Sequence, residues 1–193
     1  TGGSVLSTLT NEQLEELRAI DTDWADVLFQ DAGFQSHEFS AQGGGANTTF
    51  FVSGSYLRQE GTVRTTLLER YTTRINIANE AGPFRFGINS TFGYSKNQGT
   101  LEGDSFIGSP LNAVRWANPY EKPYDDNGNF TEIRTGQPNP LQELLDNERG
   151  FNDLKMVGNL YAAYDLPIKG LTIKTLLGAD YGQTDVRIYN DRS

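Results

Sequence analysis

Between Phe84 and Ser95 the chain reads FRFGINSTFGYS, and its residues alternate in size and polarity. Phe84, Phe86, Ile88, Phe92 and Tyr94 stand against Arg85, Gly87, Asn89, Thr91, Gly93 and Ser95. A period of two belongs to a β-strand with one apolar and one polar face, and the apolar face must be covered. A second sheet, a helix or lipid can do that, so the question for the whole chain is which one does.

The same period recurs. Phe50, Val52 and Tyr56 oppose Phe51, Ser53, Ser55 and Leu57; Tyr71, Ile75 and Ile77 oppose Arg70, Arg74 and Asn76. Near the end, Leu171, Ile173, Leu177, Ala179 and Tyr181 oppose Thr172, Lys174, Gly178 and Asp180, with Leu176 the exception. Strands are expected at about 36–43, 48–59, 70–79, 83–96, 154–166 and 170–185, longer than the usual soluble strand and long enough, when tilted, to cross a bilayer. Before them, TLTNEQLEELRAI predicts a helix capped by Thr10 or Asn11, and TDWADVLFQ a shorter one capped by Thr22 and anchored by Trp24.

The connections constrain topology. GGGAN (43–47), NEAGP (79–83) and DLPIKG (165–170) read as tight turns, with glycine at GGGAN supplying positive φ. Between them a link of about a dozen residues surrounds EGTVRTTLLE, and a stretch of nearly sixty runs from Lys96 to about Asp153. Strict alternation of short and long links puts all turns at one end of a meander and all loops at the other, the asymmetry of outer-membrane barrels. The long loop holds Phe106, Ile107, Leu111, Val114, Trp116 and Tyr120, and short helices are expected at 109–116 and 140–147. The expected organisation is a loop region with short helices on the extracellular side (1–35), followed by about six barrel strands (36–193) with a long extracellular loop at 97–153.

Bulk composition does not oppose this reading. Hydrophobic content is 36% and mean hydropathy −0.53, which suits a soluble chain but also a barrel whose apolar residues are diluted by alternation. No run of about 18 apolar residues offers a spanning helix. TGGSVLSTLT carries no leader of the basic-then-apolar kind, so a mature, processed or partial chain is expected. A net charge of −9 argues against nucleic acid, and the absence of cysteine against disulfides and thiolate metal sites.

Little in the sequence suggests catalysis. His37 is the single histidine and is expected on a strand-end surface or in a lumen. YDDNGN (124–129) lacks the spacing and terminal glutamate of an EF-hand loop and reads first as a turn. Asp125/Asp126 and Glu15/Glu16 are neighbours in sequence and do not face each other across a substrate. Neither an enzyme, a metal site nor a cofactor is expected. RWANPYEKPY is the candidate ligand-binding stretch: Trp116, Tyr120 and Tyr124 offer rings for stacking, and Arg115 offers a partner for acidic groups.

The stretch TDWADVLFQDAGFQSHEFSAQGGGANTTFFVSGSYLRQEGTVRTTLLERYTTRINI resembles the start of the barrel domain in SusC/RagA-type TonB-dependent transporters of Bacteroidota. The residues that carry the resemblance are Gln35, His37, Gly43 and Gly44, then Tyr56, Leu57, Gln59, Glu60 and Gly61, then Arg70, Tyr71, Arg74 and Asn76. SPL (109–111), NPYEKPYDDNGNF (118–130), NPLQEL (139–144) and IKGLTIKTLLGADY (168–181) follow in the same order. The resemblance implies an antiparallel transmembrane segment, strands two to seven of a 22-stranded barrel in a Gram-negative outer membrane. It also implies a plug and a TonB-contacting segment not recognisable here, a SusD-like lipoprotein lid, and a glycan or peptide cargo. Phe50, Val52, Tyr56, Ile75, Ile77, Phe84, Phe86 and Ile88 are then expected to face lipid, and Arg74, Arg85, Asn89, Ser53 and Ser55 the lumen. The alternatives are a soluble β-sandwich that binds carbohydrate, or a porin or adhesin barrel that does not use TonB.

Overall fold

The computed structural model describes residues 9–100, 109–133 and 138–190. Six strands form one antiparallel sheet in chain order: β1 Phe34–Gly44, β2 Thr48–Glu60, β3 Leu67–Ala81, β4 Phe84–Gly99, β5 Asn147–Asp165 and β6 Thr172–Asn190. Among the described residues four short helices accompany them: α1 Asn11–Arg18, α2 Trp24–Leu28, α3 Pro110–Trp116 and α4 Pro140–Asp146. Phe106 and Ile107 of the long loop lie outside the described residues. No second sheet packs on this one among the described residues, so the β-sandwich is not favoured.

The strands are longer than alternation predicts, reaching 19 residues in β5 and β6. Their ends are polar, so hydropathy falls silent there while the backbone ladder continues, as in Arg58↔Glu69 and Lys96↔Asn152. This shortens the links. The β2–β3 connection is 61–66, no longer than the β5–β6 turn at 166–171, and the β4–β5 connection is 100–146 rather than 97–153. Strict alternation of short and long links is therefore overturned. One long connection remains, and it shares an end of the sheet with the segment entering β1.

Glycine acts differently from expectation in GGGAN. Positive φ occurs at Gly82 (61°) and Gly170 (86°) in the other two turns, but at none of the three glycines of this one. Here glycine answers close approach: a Cβ on Gly43 would sit 2.9 Å from the Phe50 ring, and one on Gly44 2.5 Å from the Thr48 carbonyl oxygen.

The helices follow their local signals with one change. Thr10 caps α1 through a capping box with Gln13. α2 is capped by Asp23 and not Thr22; its carboxylate accepts from the backbone N–H of Ala25 at 2.8 Å. Pro110 and Pro140 open α3 and α4, where a missing N–H costs nothing.

The hydrophobic core lies off the sheet. Trp24, Leu28, Ala113, Ile133, Leu141 and Leu144 pack together, joined by Phe29 and Val63. Segments far apart in sequence thus form one cap at the long-loop end. It is stitched by Trp24 Nε1–H donating to the Asn118 carbonyl at 2.9 Å, Thr22 N–H to Pro119 at 2.7 Å, and Arg64 N–H to Leu28 at 3.0 Å. Trp24 is the anchor that the sequence predicts.

Candidate functional site

Paired residues of an antiparallel sheet share a face, so the register sorts every strand residue. One row reads Phe50–Ile77–Ile88–Leu160–Leu177. The other five residues of the expected lipid-facing set, Val52, Tyr56, Ile75, Phe84 and Phe86, fall on that same face. The opposite face carries Asn76–Asn89–Asn159–Gly178 and Arg74–Thr91–Val157–Asp180 in register, along with Ser53, Ser55 and Arg85. Asn89 donates to Asn159 at 3.0 Å, so the polar face forms cross-strand amide contacts. Leu176 falls on this polar side, as the exception to its strand's pattern.

The apolar face has aromatic borders. Toward the long-loop end, Tyr56, Tyr71 and Tyr94 stand side by side, with ring centroids 4.9 and 6.4 Å apart. His37 extends this row, its ring parallel to Tyr56 at 6.5 Å. The single histidine therefore belongs to the aromatic border of the apolar face, not to the polar face. Toward the turns, Phe84 and Tyr164 meet at 4.6 Å. About ten residues of β4 separate the two borders; at ~3.3 Å per residue and a tilt near ~40° they stand about 25 Å apart, the height of an outer-membrane apolar band. Just beyond the tyrosine row the same face becomes charged: Arg58 lies 3.2 Å from Glu60 and 4.0 Å from Glu69, and the Tyr56 hydroxyl donates to Glu69 at 3.1 Å.

The polar face has its own packing device near the turns. Tyr161 lies over Gly87, where a Cβ would come within 2.6 Å of the ring and 2.5 Å of the Ile77 carbonyl oxygen. The Lys174 ammonium sits 5.4 Å from the Tyr161 ring centroid, and Arg85 pairs with Asp165 at 2.6 Å. A glycine between Phe86 and Ile88 in a strand was the available sequence signal for such close approach.

The four candidate ligand residues are not brought together. Tyr120 and Tyr124 line a cavity of about 300 Å³ with Leu17 and Ile20 of the α1 region and Glu121 and Asp126 of the loop. Arg115 and Trp116 end α3 and do not line that cavity; Trp116 is 63% exposed. Tyr124 also stacks on Phe130 at 5.1 Å across a small hairpin bridged at those two residues. Asp125 organises that hairpin, accepting from the backbone N–H of Asn129 at 2.8 Å and Asn127 at 2.9 Å. The bond from Asn129 leads in holding its carboxyl below the usual carboxylate range. Thus YDDNGN is first a turn, as its composition implies. Glu121, buried to 6% exposure, and Asn139, whose amide donates to the Pro123 carbonyl at 2.8 Å, have no signal in the sequence.

A polar face, a bordered apolar face and a cap of loops at one end define an antiparallel transmembrane β-barrel segment. Sequence and structure neighbours agree with that class. The chain is 27% identical over 175 residues to the TonB-dependent receptor P3 of Formosa agariphila, and 26% over 190 residues to the TonB-dependent receptor SusC of Bacteroides thetaiotaomicron. These alignments cover 86% and 87% of this chain but only 17% and 19% of the relatives. Among solved structures it is similar to the RagAB peptide transporter, with a TM-score of 0.69, 25% identity and coverage of 86% of this chain and 19% of that one. The open-open state of the RagAB peptide importer gives a TM-score of 0.64 at 25% identity, covering 85% and 19%. No protein-family model matches. In sequence and fold the chain is similar to the barrel of SusC/RagA-type TonB-dependent transporters, and it spans about a fifth of their length.

Proposed function

We propose that this chain is wall and loop of a TonB-dependent nutrient importer in the outer membrane of a Gram-negative bacterium of the Bacteroidota. The observation that carries the proposal is the two-faced sheet, with its apolar side bordered by aromatic rows about 25 Å apart. Phe50, Val52, Tyr56, Ile75, Ile77, Phe84, Phe86 and Ile88 face lipid, and the Arg74–Asn89 side faces the lumen. The cap and the long connection at 100–146 stand outside the cell, together with the segment that enters β1. Cargo is a glycan or a peptide, held under a SusD-like lipoprotein lid and released inward when TonB acts through the rest of the transporter. Similarity to SusC and RagA supports this over a porin or adhesin barrel, and over an enzyme, in which the barrel itself would do chemistry.

The test uses the complete transporter, with single cysteines introduced along β4; this segment adds no cysteine of its own to the background. A polarity-sensitive thiol dye at Phe86, Ile88 and Phe92 is expected to emit in the blue and to be quenched by brominated lipid. At Asn89, Thr91 and Ser95 it is expected to be quenched by aqueous iodide. The same quenching at both sets would remove the wall assignment. For transport, deletion of the gene is expected to abolish growth on one glycan or peptide source while growth on its monomers continues.

A further inference from the structure

We propose that the polar face of β3 recognises a carboxylate on the cargo, held between Arg70 and Arg74; this deepens the transport reading and rests on it. The two arginines share that face and are exposed. Among the described residues neither makes an ion pair or a hydrogen bond. At ~3.3 Å per residue their Cα atoms stand about 13 Å apart, so each lies about 7 Å from Thr72, midway between them. An extended arginine side chain covers that distance, and two guanidinium groups can close on one carboxylate from opposite sides.

The neighbouring strands supply space and donors. Ser55 and Gly93 flank Thr72 in register, and a Cβ on Gly93 would meet only the Lys155 carbonyl oxygen, at 3.8 Å. Ser53 and Thr91 flank Arg74, while Leu57 and Ser95 flank Arg70. The hydroxyls among these positions can donate to the same oxyanion, and no acidic side chain stands between them. The nearest acids lie beyond these three strands, and two of them are engaged: Asp153 accepts from Thr184 at 2.6 Å, and Asp180 is 3.9 Å from Lys155. The third, Glu38, stands beside Ser55 at one side of the patch, with Lys155 beside Gly93 at the other. The surplus within the patch is therefore cationic. A neutral cargo group gains only hydroxyl contacts there, and a cationic one meets repulsion.

The test introduces Gly93→Cys into the complete, otherwise cysteine-free transporter at low ionic strength. Two methanethiosulfonate reagents of similar size are compared, the anionic sulfonatoethyl and the cationic trimethylammonioethyl, each rate divided by that with free 2-mercaptoethanol. The anionic reagent is expected to react at least tenfold faster, and its preference to shrink as salt is raised. Arg70→Gln and Arg74→Gln remove exposed, unpaired groups and leave the fold intact; each is expected to cut the preference severalfold, and the double variant to abolish it. Glutarate is expected to slow the anionic reagent at a concentration where its neutral isostere glutaramide does not. Equal normalised rates, a preference that survives the double variant, or equal protection by glutaramide would overturn the proposal and leave the wall assignment standing. No reaction with either reagent would overturn it too, because the patch is then closed to cargo; brominated-lipid quenching at Ile88 then shows whether the wall assignment falls with it.

Discussion

Gly87 offers the sharpest test of how the sheet is built. A methyl group there would lie 2.5 Å from the Ile77 carbonyl oxygen and 2.6 and 2.8 Å from two Tyr161 ring carbons. Ordinary contact distances are about 3.5–4.0 Å, so both neighbours must yield about an ångström. The ring can swing, but it then leaves its place beside Lys174. The carbonyl belongs to a ladder between β3 and β4 and moves only with the strands. Overpacking of this kind costs about 1–3 kcal/mol, offset by about 0.5–1 kcal/mol because alanine suits a strand better than glycine. A net loss of about 1–2 kcal/mol is expected for Gly87→Ala, a five- to thirtyfold change in the folding ratio. Guanidinium unfolding of the complete transporter, followed by tryptophan fluorescence, reads this directly. Gly54→Ala, with nothing within 4 Å, and Gly93→Ala, 3.8 Å from the Lys155 carbonyl oxygen, are the controls. If Gly87→Ala matches them or stabilises, the packing of Tyr161 over Gly87 plays no part in holding these strands.

Four further outcomes follow from particular residues. Ile88→Lys is expected to destabilise the membrane-embedded protein by about 2–4 kcal/mol while Asn89→Lys changes it little; equal losses in vesicle unfolding would refute the face assignment. Trp24→Ala is expected to cost the cap about 3–5 kcal/mol and Trp24→Phe about 1 kcal/mol for the bond to Asn118, read as protease cleavage within 100–146 with the barrel intact. Asn139→Ala removes the α4 cap and the partner of the Pro123 carbonyl, and about 2 kcal/mol of local protection against hydrogen exchange is expected to go with it. Asp125 has a depressed carboxyl, so its support of the 124–130 hairpin is present above its unfolded value near 3.8 and is lost as pH falls through the lower folded value. Amide chemical shifts of Asn127 and Asn129 should therefore hold steady from neutrality down to about pH 4 and move only in stronger acid, and a transition near neutrality would refute this.

The fold was legible where hydropathy alternates. The residues that share the apolar face of β2, β3 and β4 could be read because a period of two assigns faces without any knowledge of partners. Strand ends could not be read so well, because Arg58, Gln59, Glu60 and Glu69 are polar on both sides of the sheet plane while their backbones stay paired. The same blindness made the β2–β3 link look long. The candidate site divided similarly: aromatic content pointed to 115–124, but not to the fact that Tyr120 and Tyr124 share a cavity that Arg115 and Trp116 do not line.

What this sequence determined by itself is local and periodic. Alternation set the two faces, capping residues set most helix starts, and Trp24 marked its own burial, because each depends on neighbours within a few positions along the chain. The tertiary structure decided what depends on distance in sequence. It aligned Tyr56, Tyr71 and Tyr94 into one border, laid Tyr161 over Gly87, gathered α2, Val63, α3 and α4 into a cap, and brought Leu17 to Tyr124. These contacts depend on strand register and chain packing, and a one-residue slip in register would exchange the faces while leaving every local signal unchanged.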